Sequence, residues 1–232
     1  ERQAQFALLS DWADADQAQM PTDAALLNRA TQQIMALNAR HPRLQSEEQG
    51  AQDRQKVPEL PAAPRFILLH RARQFSETEQ RWIGWERKRG KLESLIAALA
   101  QGESSAFMNL GELSRLDWQA LYLVTLDSDT QLPPGRLREL DSVAAHPHNQ
   151  PQLDAEGRCV VAGYGILQPR IVTPLPAVRD FTRFHWLFAG QCGIDPYSAA
   201  SSEVYQDLFG EGTFTGKGLL DVQAVQAVQA SR

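Results

Sequence analysis

Residues Leu121–Pro134 read LYLVTLDSDTQLPP, and this stretch decides the predicted fold. Its first part, Leu121–Leu126, is a near-continuous apolar run, which is typical of a central parallel strand covered on both faces. Asp127-Ser128-Asp129 follow directly, and the two prolines at positions 133 and 134 prevent the strand from continuing. The sequence therefore predicts a buried strand that ends in an acidic turn.

Asp127 and Asp129 stand two residues apart at the point where this strand leaves the sheet. Two carboxylates that lie close together repel each other, and a hard divalent cation offsets that repulsion. In open α/β sheets, ligands bind outside the carboxyl ends of the strands. The pair is therefore a candidate site for a metal ion and phosphate groups, although an ordinary capping or turn role for one Asp explains the same residues.

The composition limits the class of protein. The chain has 232 residues, of which 43% are hydrophobic and 22% charged, enough for one large domain or two small ones. Its net charge of −5 argues against non-specific binding to nucleic acid. Cys159 and Cys192 are too few for a disulfide framework and lack the spacing of zinc ligands. No apolar run is long enough to span a membrane.

Strand and helix patterns alternate along the chain. Strands are predicted at Leu121–Leu126, Phe6–Ser10, Arg65–His70 and Cys159–Gln168, and helices from Asp23 to near His41 and at Glu77–Gln101, Leu113–Gln119, Leu137–Ala145, Phe181–Ala189 and Val222–Arg232. This order predicts a single α/β domain, residues 1–232, with a mostly parallel, Rossmann-like sheet flanked by helices. Residues 43–64 form a polar, Pro-rich loop within it.

The start of the second predicted helix is unusually basic. Ser76-x-x-Glu79 has the form of a capping box, which places the helix start at Glu77. The run Glu86–Lys91 (ERKRGK) is either a solvated cationic face or a set of side chains that point toward a phosphate crevice. Gly90 costs about 1 kcal/mol relative to Ala inside a helix, which indicates close approach by another backbone or a ligand.

The stretch Tyr205–Asp221 is rich in glycine. Gly210-Glu211-Gly212 and Gly216-Lys217-Gly218 form either a backbone-lined wall beside a substrate or a glycine-rich surface loop. Lys217 does not belong to a Walker A loop, because Gly218 stands where that motif requires Ser or Thr.

Five segments together resemble the glycosyltransferase domain of cyclic β-1,2-glucan synthases. They are GWERKRGKLE (Gly84–Glu93), YLVTLDSDTQLPPG (Tyr122–Gly135), AHPHNQP (Ala145–Pro151), GYGILQPRI (Gly163–Ile171) and YQDLFGEGTFTGKGLLDV (Tyr205–Val222). The resemblance implies a GT-A fold that transfers glucose from UDP-glucose to a growing β-1,2-glucan chain. It also implies a place on the cytoplasmic face of the bacterial inner membrane, within a multi-pass protein that carries transmembrane helices and a phosphorylase-like domain.

The resemblance also assigns roles to the acidic turn. Asp127 and Asp129 match a D-x-D motif that holds Mg²⁺ or Mn²⁺ on the UDP diphosphate, with Ser128 beside the donor. Lys88 and Lys91 are expected near the same diphosphate.

Two further groups of residues follow from the resemblance. Glu211, Gly212 and Lys217 are expected beside the donor sugar or the acceptor, with Glu211 among the catalytic candidates. Related synthases hold uracil with an Asp after the second strand. His70 and Arg71 stand there in this chain, which leaves Asp11 or Asp14 as candidates for that role.

The general base of the family is expected beyond Arg232, so the domain is expected to be truncated at its C-terminus and inactive alone. A second interpretation is a non-catalytic module that binds nucleotide sugar within a larger membrane protein. A nucleotidyltransferase shares the acidic metal site, but it needs a Gly- and Arg-rich loop after the first strand. The residues SDWADAD at 10–16 do not provide one.

Overall fold

The computed structural model describes residues 4–43, 63–102, 105–117, 120–169, 178–188, 208–209, 214 and 216–230. They form a mixed α/β structure with small parallel and antiparallel sheets, which confirms the predicted α/β class. The chain divides into two compact units, and the division falls between Leu121 and Tyr122. Glu211, Gly212 and most of the loop predicted at 43–64 lie outside the described residues. None of the described helices is long and apolar enough to cross a membrane.

The first unit contains one parallel strand pair and one hairpin among its described residues. Its elements are β1 (Phe6–Asp11), α1 (Asp23–Arg40), β2 (Phe66–Arg71), β3 (Gln74–Ser76), β4 (Arg81–Ile83), α2 (Arg87–Gln101) and a 3-10 helix (Gly111–Ser114). β1 and β2 are parallel, with Phe6 opposite Phe66 and Asp11 opposite Arg71. The predictions of both strands and of α1 are confirmed.

β2 forms the centre of the core of this unit. Ile67, Leu68 and Leu69 are at most 1% exposed, and apolar residues of α2 and of the segment after it are buried as well. On the side of α1, the amide of Asn38 donates to the carbonyl of Phe66 at 2.8 Å and accepts its N–H at 2.9 Å. This side chain therefore satisfies both backbone polar groups of the first residue of the strand.

The predicted start of the second helix is wrong. Ser76 ends β3, which pairs antiparallel with β4, and α2 begins only at Arg87. The Ser76 hydroxyl does accept the N–H of Glu79, at 3.2 Å, as in a capping box. In this protein the hydrogen bond closes the turn of the β3–β4 hairpin. The Ser-x-x-Glu pattern therefore belongs to a hairpin turn and not to a helix start.

Gly90 is buried in the first turns of α2, as its unfavourable helix propensity suggested. A Cβ atom at this position would lie 2.4 Å from the carbonyl oxygen of Trp85 and 2.7 Å from the ring of that residue. The predicted close approach of another backbone is thereby confirmed, and the approaching group is the chain just before the helix.

The second unit holds a three-stranded antiparallel sheet and short surrounding elements among its described residues. They are β5 (Tyr122–Thr125), α3 (Arg136–Ala144), β6 (Gln152–Leu153), β7 (Val160–Ala162), β8 (Ile166–Leu167), a 3-10 helix (Val178–Asp180), α4 (Arg183–Phe188), β9 (Gly218–Asp221) and α5 (Val222–Ala230). The strand order is β5-β9-β8, and α3 and α5 both pack against β9.

The predicted strand before the acidic turn exists, but its expected environment is wrong. β5 pairs antiparallel with β9 and lies at the edge of the sheet formed by the described residues. Leu121 and Leu126, the ends of the predicted run, are 69% and 45% exposed. The buried strand of this sheet is β9, in which Leu219 and Leu220 are 2% and 3% exposed. A mostly parallel sheet is therefore not what the described residues show.

Two further elements of this unit differ from expectation. The strand predicted at Cys159–Gln168 is broken into β7 and β8 at Gly163, which has a φ of +71°. A Cβ there would lie 2.0 Å from the carbonyl oxygen of Gln150, so only glycine fits. The aromatic stretch near residue 185 is helical, but Phe184 and Trp186 are 67% and 77% exposed rather than buried.

Candidate functional site

The acidic turn, Asp127–Thr130, follows β5 and is closed by two hydrogen bonds between its end residues. The N–H of Thr130 donates to the carbonyl of Asp127 at 3.0 Å, and the N–H of Asp127 donates to the Thr130 hydroxyl at 3.2 Å. Ser128 and Asp129 between them are exposed, and Asp127 is half-buried. The turn therefore fixes the backbone of Asp127 and leaves the second carboxylate open to solvent.

Among the described residues, the Lys217 side chain forms an ion pair with the turn. Its Nζ lies 2.9 Å from Oδ2 of Asp127, and the two side chains are 17% and 34% exposed. Sequence reasoning placed Lys217 beside the donor sugar or the acceptor, and the structure places it on the first carboxylate of the acidic turn. An ammonium group of the chain itself thus offsets part of the negative charge of Asp127.

Thr125 connects β5 to the segment that carries Lys217. Its buried hydroxyl lies 3.2 Å from the carbonyl oxygen of Gly216 and 3.3 Å from that of Gly218. Sequence reasoning missed this threonine, because the contact joins segments that are about ninety residues apart.

The donor atoms of the acidic turn suit a hard divalent cation. Mg²⁺ and Mn²⁺ prefer carboxylate oxygen, and Mg²⁺ is commonly held by one or two carboxylates together with substrate phosphates and water. Asp127 already binds a cation, the Lys217 ammonium, through one carboxylate oxygen. The described residues contain no group of three or more His, Cys, Asp or Glu side chains that could hold a metal by themselves. The turn thus fits a cation that is shared with a ligand.

A second polar group, the carboxyl-edge cluster, lies in the first unit and comprises Asp11, Asp14, Arg71, Arg87 and Lys91. Arg71 binds Asp11 with two hydrogen bonds, Nε to Oδ1 at 2.8 Å and Nη2 to Oδ2 at 3.2 Å. Both side chains are at least 90% buried, and they belong to the last residues of two adjacent parallel strands. Sequence reasoning missed Arg71 as a partner, although its position at the end of β2 matches that of Asp11 at the end of β1.

Arg71 also fixes the chain before α2. Its Nη2 donates to the carbonyl of Trp85 at 2.7 Å, and a Cβ on Gly84 would lie 3.0 Å from the Asp11 side chain. The Arg71 guanidinium therefore connects the ends of β1 and β2 to the chain that leads into α2.

The predicted nucleotide-binding residues lie in or near this cluster. Lys91 Nζ is 3.4 Å from Oδ2 of Asp11, and Arg87 Nη2 is 3.0 Å from Oδ2 of Asp14. Lys88 is half-buried in the first turn of α2. The structure thus brings Asp11 and Lys91 together. Asp14 is the more accessible carboxylate, with 28% of its side chain exposed against 10% for Asp11.

The buried polar residues next to the cluster are held by strong local contacts. Arg73 donates to both carboxylate oxygens of Asp23 at 2.5 and 3.1 Å, and these hydrogen bonds lower the pKa of Asp23. His70 is 5% exposed, and its Nδ1 lies 2.8 Å from the hydroxyl of Ser10. Burial lowers the pKa of His70, so its ring favours the neutral form.

Comparison with known proteins identifies a relative of the chain. No protein-family model matches the chain. The chain is, however, 40% identical over 227 residues to the cyclic beta-(1,2)-glucan synthase NdvB of Rhizobium meliloti (strain 1021). The chain is homologous to a segment of a cyclic β-(1,2)-glucan synthase.

This homology covers 98% of the chain but only 7% of the length of the relative. It confirms the resemblance that the five sequence segments carry. Because almost the whole chain is aligned, the homology does not rest on the acidic turn alone.

Proposed function

We propose that this chain is the donor-binding part of an inverting glycosyltransferase, which transfers glucose from UDP-glucose to a growing β-1,2-glucan chain. The observation that carries the proposal is the acidic turn. It follows a strand, presents Asp127 and Asp129, and already holds a cationic group on Asp127. The homology to a protein whose name is cyclic beta-(1,2)-glucan synthase supports the choice of the reaction.

In this proposal Asp127 and Asp129 hold Mg²⁺ or Mn²⁺. When bound, such a cation would neutralise the charge that develops on the departing diphosphate. The turn contributes a fixed position for the first carboxylate, because the hydrogen bonds between Asp127 and Thr130 hold its backbone. Ser128, exposed between the two acids, is proposed to donate a hydrogen bond to the donor.

The carboxyl-edge cluster is proposed to contribute to nucleotide binding. Within it, the Asp11 carboxylate forms ion pairs with two cations, Arg71 and Lys91. Asp14 is better placed than Asp11 to accept an N–H of the uracil ring, because more of its side chain is exposed. Lys88 and Lys91 are proposed to face the diphosphate, as their place on α2 suggested.

The remaining parts of the proposal follow from the family resemblance. Glu211 and Gly212 are proposed to lie beside the donor sugar or the acceptor, and the general base is proposed to lie beyond Arg232. The fold is proposed to be of GT-A type within one domain, and the parallel pair β1 and β2 is the part of the described structure that supports it. The proposed setting is the cytoplasmic face of the inner membrane, in a polypeptide with transmembrane helices and a phosphorylase-like domain.

Calorimetric titration of UDP into the 232-residue chain tests the proposal. Binding is expected with Mn²⁺ or Mg²⁺ and is expected to disappear in Asp127→Ala and in Asp129→Ala. Asp141→Ala is a matched control, since it removes an exposed carboxylate of the same unit outside the turn. Binding that needs no metal and persists in both turn variants would exclude this site.

A further inference from the structure

The backbone around Lys217 is held in a conformation that requires its two neighbouring glycines. Gly216 has a φ of +83°, a value that residues with a side chain rarely adopt. A Cβ on Gly218 would lie 2.6 Å from the carbonyl oxygen of Leu167 in β8. The Thr125 hydroxyl lies within hydrogen-bonding distance of the carbonyls of both glycines. Both neighbours of Lys217 are thus held by close contacts, whereas its side chain is held by the ion pair with Asp127.

That side chain now occupies one of the two carboxylate oxygens of Asp127, the residue to which the proposed cation binds. The Lys217 ammonium lies 2.9 Å from Oδ2 of Asp127. A divalent cation binds a carboxylate oxygen at about 2.0–2.6 Å, so the two positive centres on Asp127 would lie within about 5 Å of each other. Their repulsion in a partly buried site opposes simultaneous binding. A lysine side chain can swing away, because it has four flexible methylene groups.

We propose that Lys217 is a tethered counter-ion of Asp127, which a divalent cation displaces and which then moves onto the diphosphate of the incoming nucleotide. This inference rests on the proposed function, because it takes Asp127 to be the metal ligand. Lys217 is a positioning residue in this account. It weakens the binding of metal alone and strengthens the binding of metal together with nucleotide.

The consequence is a positive coupling between metal and nucleotide. Without a diphosphate, a cation at Asp127 leaves the Lys217 ammonium without its carboxylate partner. With a diphosphate present, the displaced ammonium gains a new anion. Linkage requires the coupling to be reciprocal, so Mn²⁺ strengthens UDP binding by the same factor by which UDP strengthens Mn²⁺ binding.

The test is Mn²⁺ binding to the 232-residue chain, followed by the electron paramagnetic resonance signal of free Mn²⁺, with and without UDP. In Lys217→Gln the affinity for Mn²⁺ alone is expected to rise about fivefold, because a competing ammonium is gone. The affinity for UDP in the presence of Mn²⁺ is expected to fall in the same variant. These opposite changes are not expected from a residue whose role is only structural. Arg158→Gln, which removes an exposed cation of the same unit, is expected to change neither affinity.

The outcomes separate this inference from the proposed function. If Mn²⁺ binding disappears in Asp127→Asn but is equal or weaker in Lys217→Gln than in the unaltered chain, the role of Lys217 is excluded and the metal site stands. If Mn²⁺ binding persists in Asp127→Asn, the metal site itself is wrong, and the displacement of Lys217 is excluded with it. Acylation of Lys217 gives a second readout. Its rate should rise when Mn²⁺ is added, and an unchanged rate would exclude displacement.

Discussion

Arg71 and Asp11 are opposite each other in the parallel register of β1 and β2, and Arg71 holds both carboxylate oxygens of Asp11, at 2.8 and 3.2 Å. The guanidinium also donates to the carbonyl of Trp85 at 2.7 Å. This pair therefore connects β1, β2 and the start of α2 through one buried contact. Removing it should lower the stability of the first unit, whether or not a ligand is bound.

Arg71→Met is expected to destabilise the chain by about 3–5 kcal/mol, because the buried Asp11 carboxylate then keeps Lys91, 3.4 Å away, as its one cationic partner among the described residues. Urea unfolding followed by circular dichroism measures the loss. Arg87→Met is the matched control, since it breaks an exposed pair with Asp14 and should cost less than about 1 kcal/mol. Equal small losses for the two variants would show that the buried pair contributes little.

Gly90→Ala is expected to lower the stability by about 1–3 kcal/mol, because the added methyl group would overlap the carbonyl of Trp85. Helix propensity alone predicts the opposite sign, a gain of about 1 kcal/mol. Gly165→Ala is a suitable comparison, since its Cβ would lie 3.4 Å from the Ala224 side chain, an ordinary contact. A stabilised Gly90→Ala variant in the same unfolding assay would disprove the close approach.

His70 should make the stability depend on pH. Burial lowers the pKa of the folded His70, while the charges of Asp11 and Asp23 act to raise it and those of Arg73 and Lys91 to lower it. As pH falls below about 6.5, the unfolded chain binds a proton that folded His70 resists, so stability decreases. Asp23 affects a different pH range. Because its pKa is lowered from the ordinary value of 3.8, its contribution to stability is fully present above pH 3.8 and is lost as the pH falls below that value.

The variant His70→Gln separates these two effects. It should flatten the decrease in stability between about pH 6.5 and pH 5, while the loss at lower pH remains. Thermal unfolding of both chains across this range provides the measurement. A decrease of the same steepness in His70→Gln would assign it to other groups.

The sequence predicted the first unit well where the signal was local. The apolar runs that became β1 and β2 and the periodic pattern of α1 needed no knowledge of distant residues. The start of α2 was missed, because the hydrogen bond from Glu79 to Ser76 occurs both in a capping box and in the β3–β4 turn. Local chemistry could not distinguish the two structures.

The second unit shows what local patterns cannot decide. β5 was recognised as a strand, but its direction relative to its neighbour depends on β9, which lies some ninety residues further along the chain. The same separation hid the contact of Lys217 with Asp127. The acidic turn itself was visible, because two acids after an apolar run are a local feature. The roles of Asp127, Asp129, Asp11, Asp14 and Lys88 stay predictions.

The pairing of Asp127 with Lys217 should be measurable without any ligand. In a double-mutant cycle of Asp127→Asn and Lys217→Gln, the coupling free energy of unfolding is expected to be about 1 kcal/mol, because both side chains are partly buried. Thr130→Val should weaken this coupling, since the Thr130 hydroxyl accepts the N–H of Asp127. A coupling of zero in metal-free buffer would contradict the observed ion pair.

The central claim is that Mn²⁺ and UDP bind at the acidic turn, and the most direct test is to locate the bound metal. In backbone NMR spectra of the chain with UDP, substoichiometric Mn²⁺ broadens the amide signals of residues near the ion. Broadening is expected to be strongest for residues 126–130 and 216–219 and to disappear from them in Asp127→Ala. Broadening centred on other residues, or unchanged in Asp127→Ala, would contradict the account.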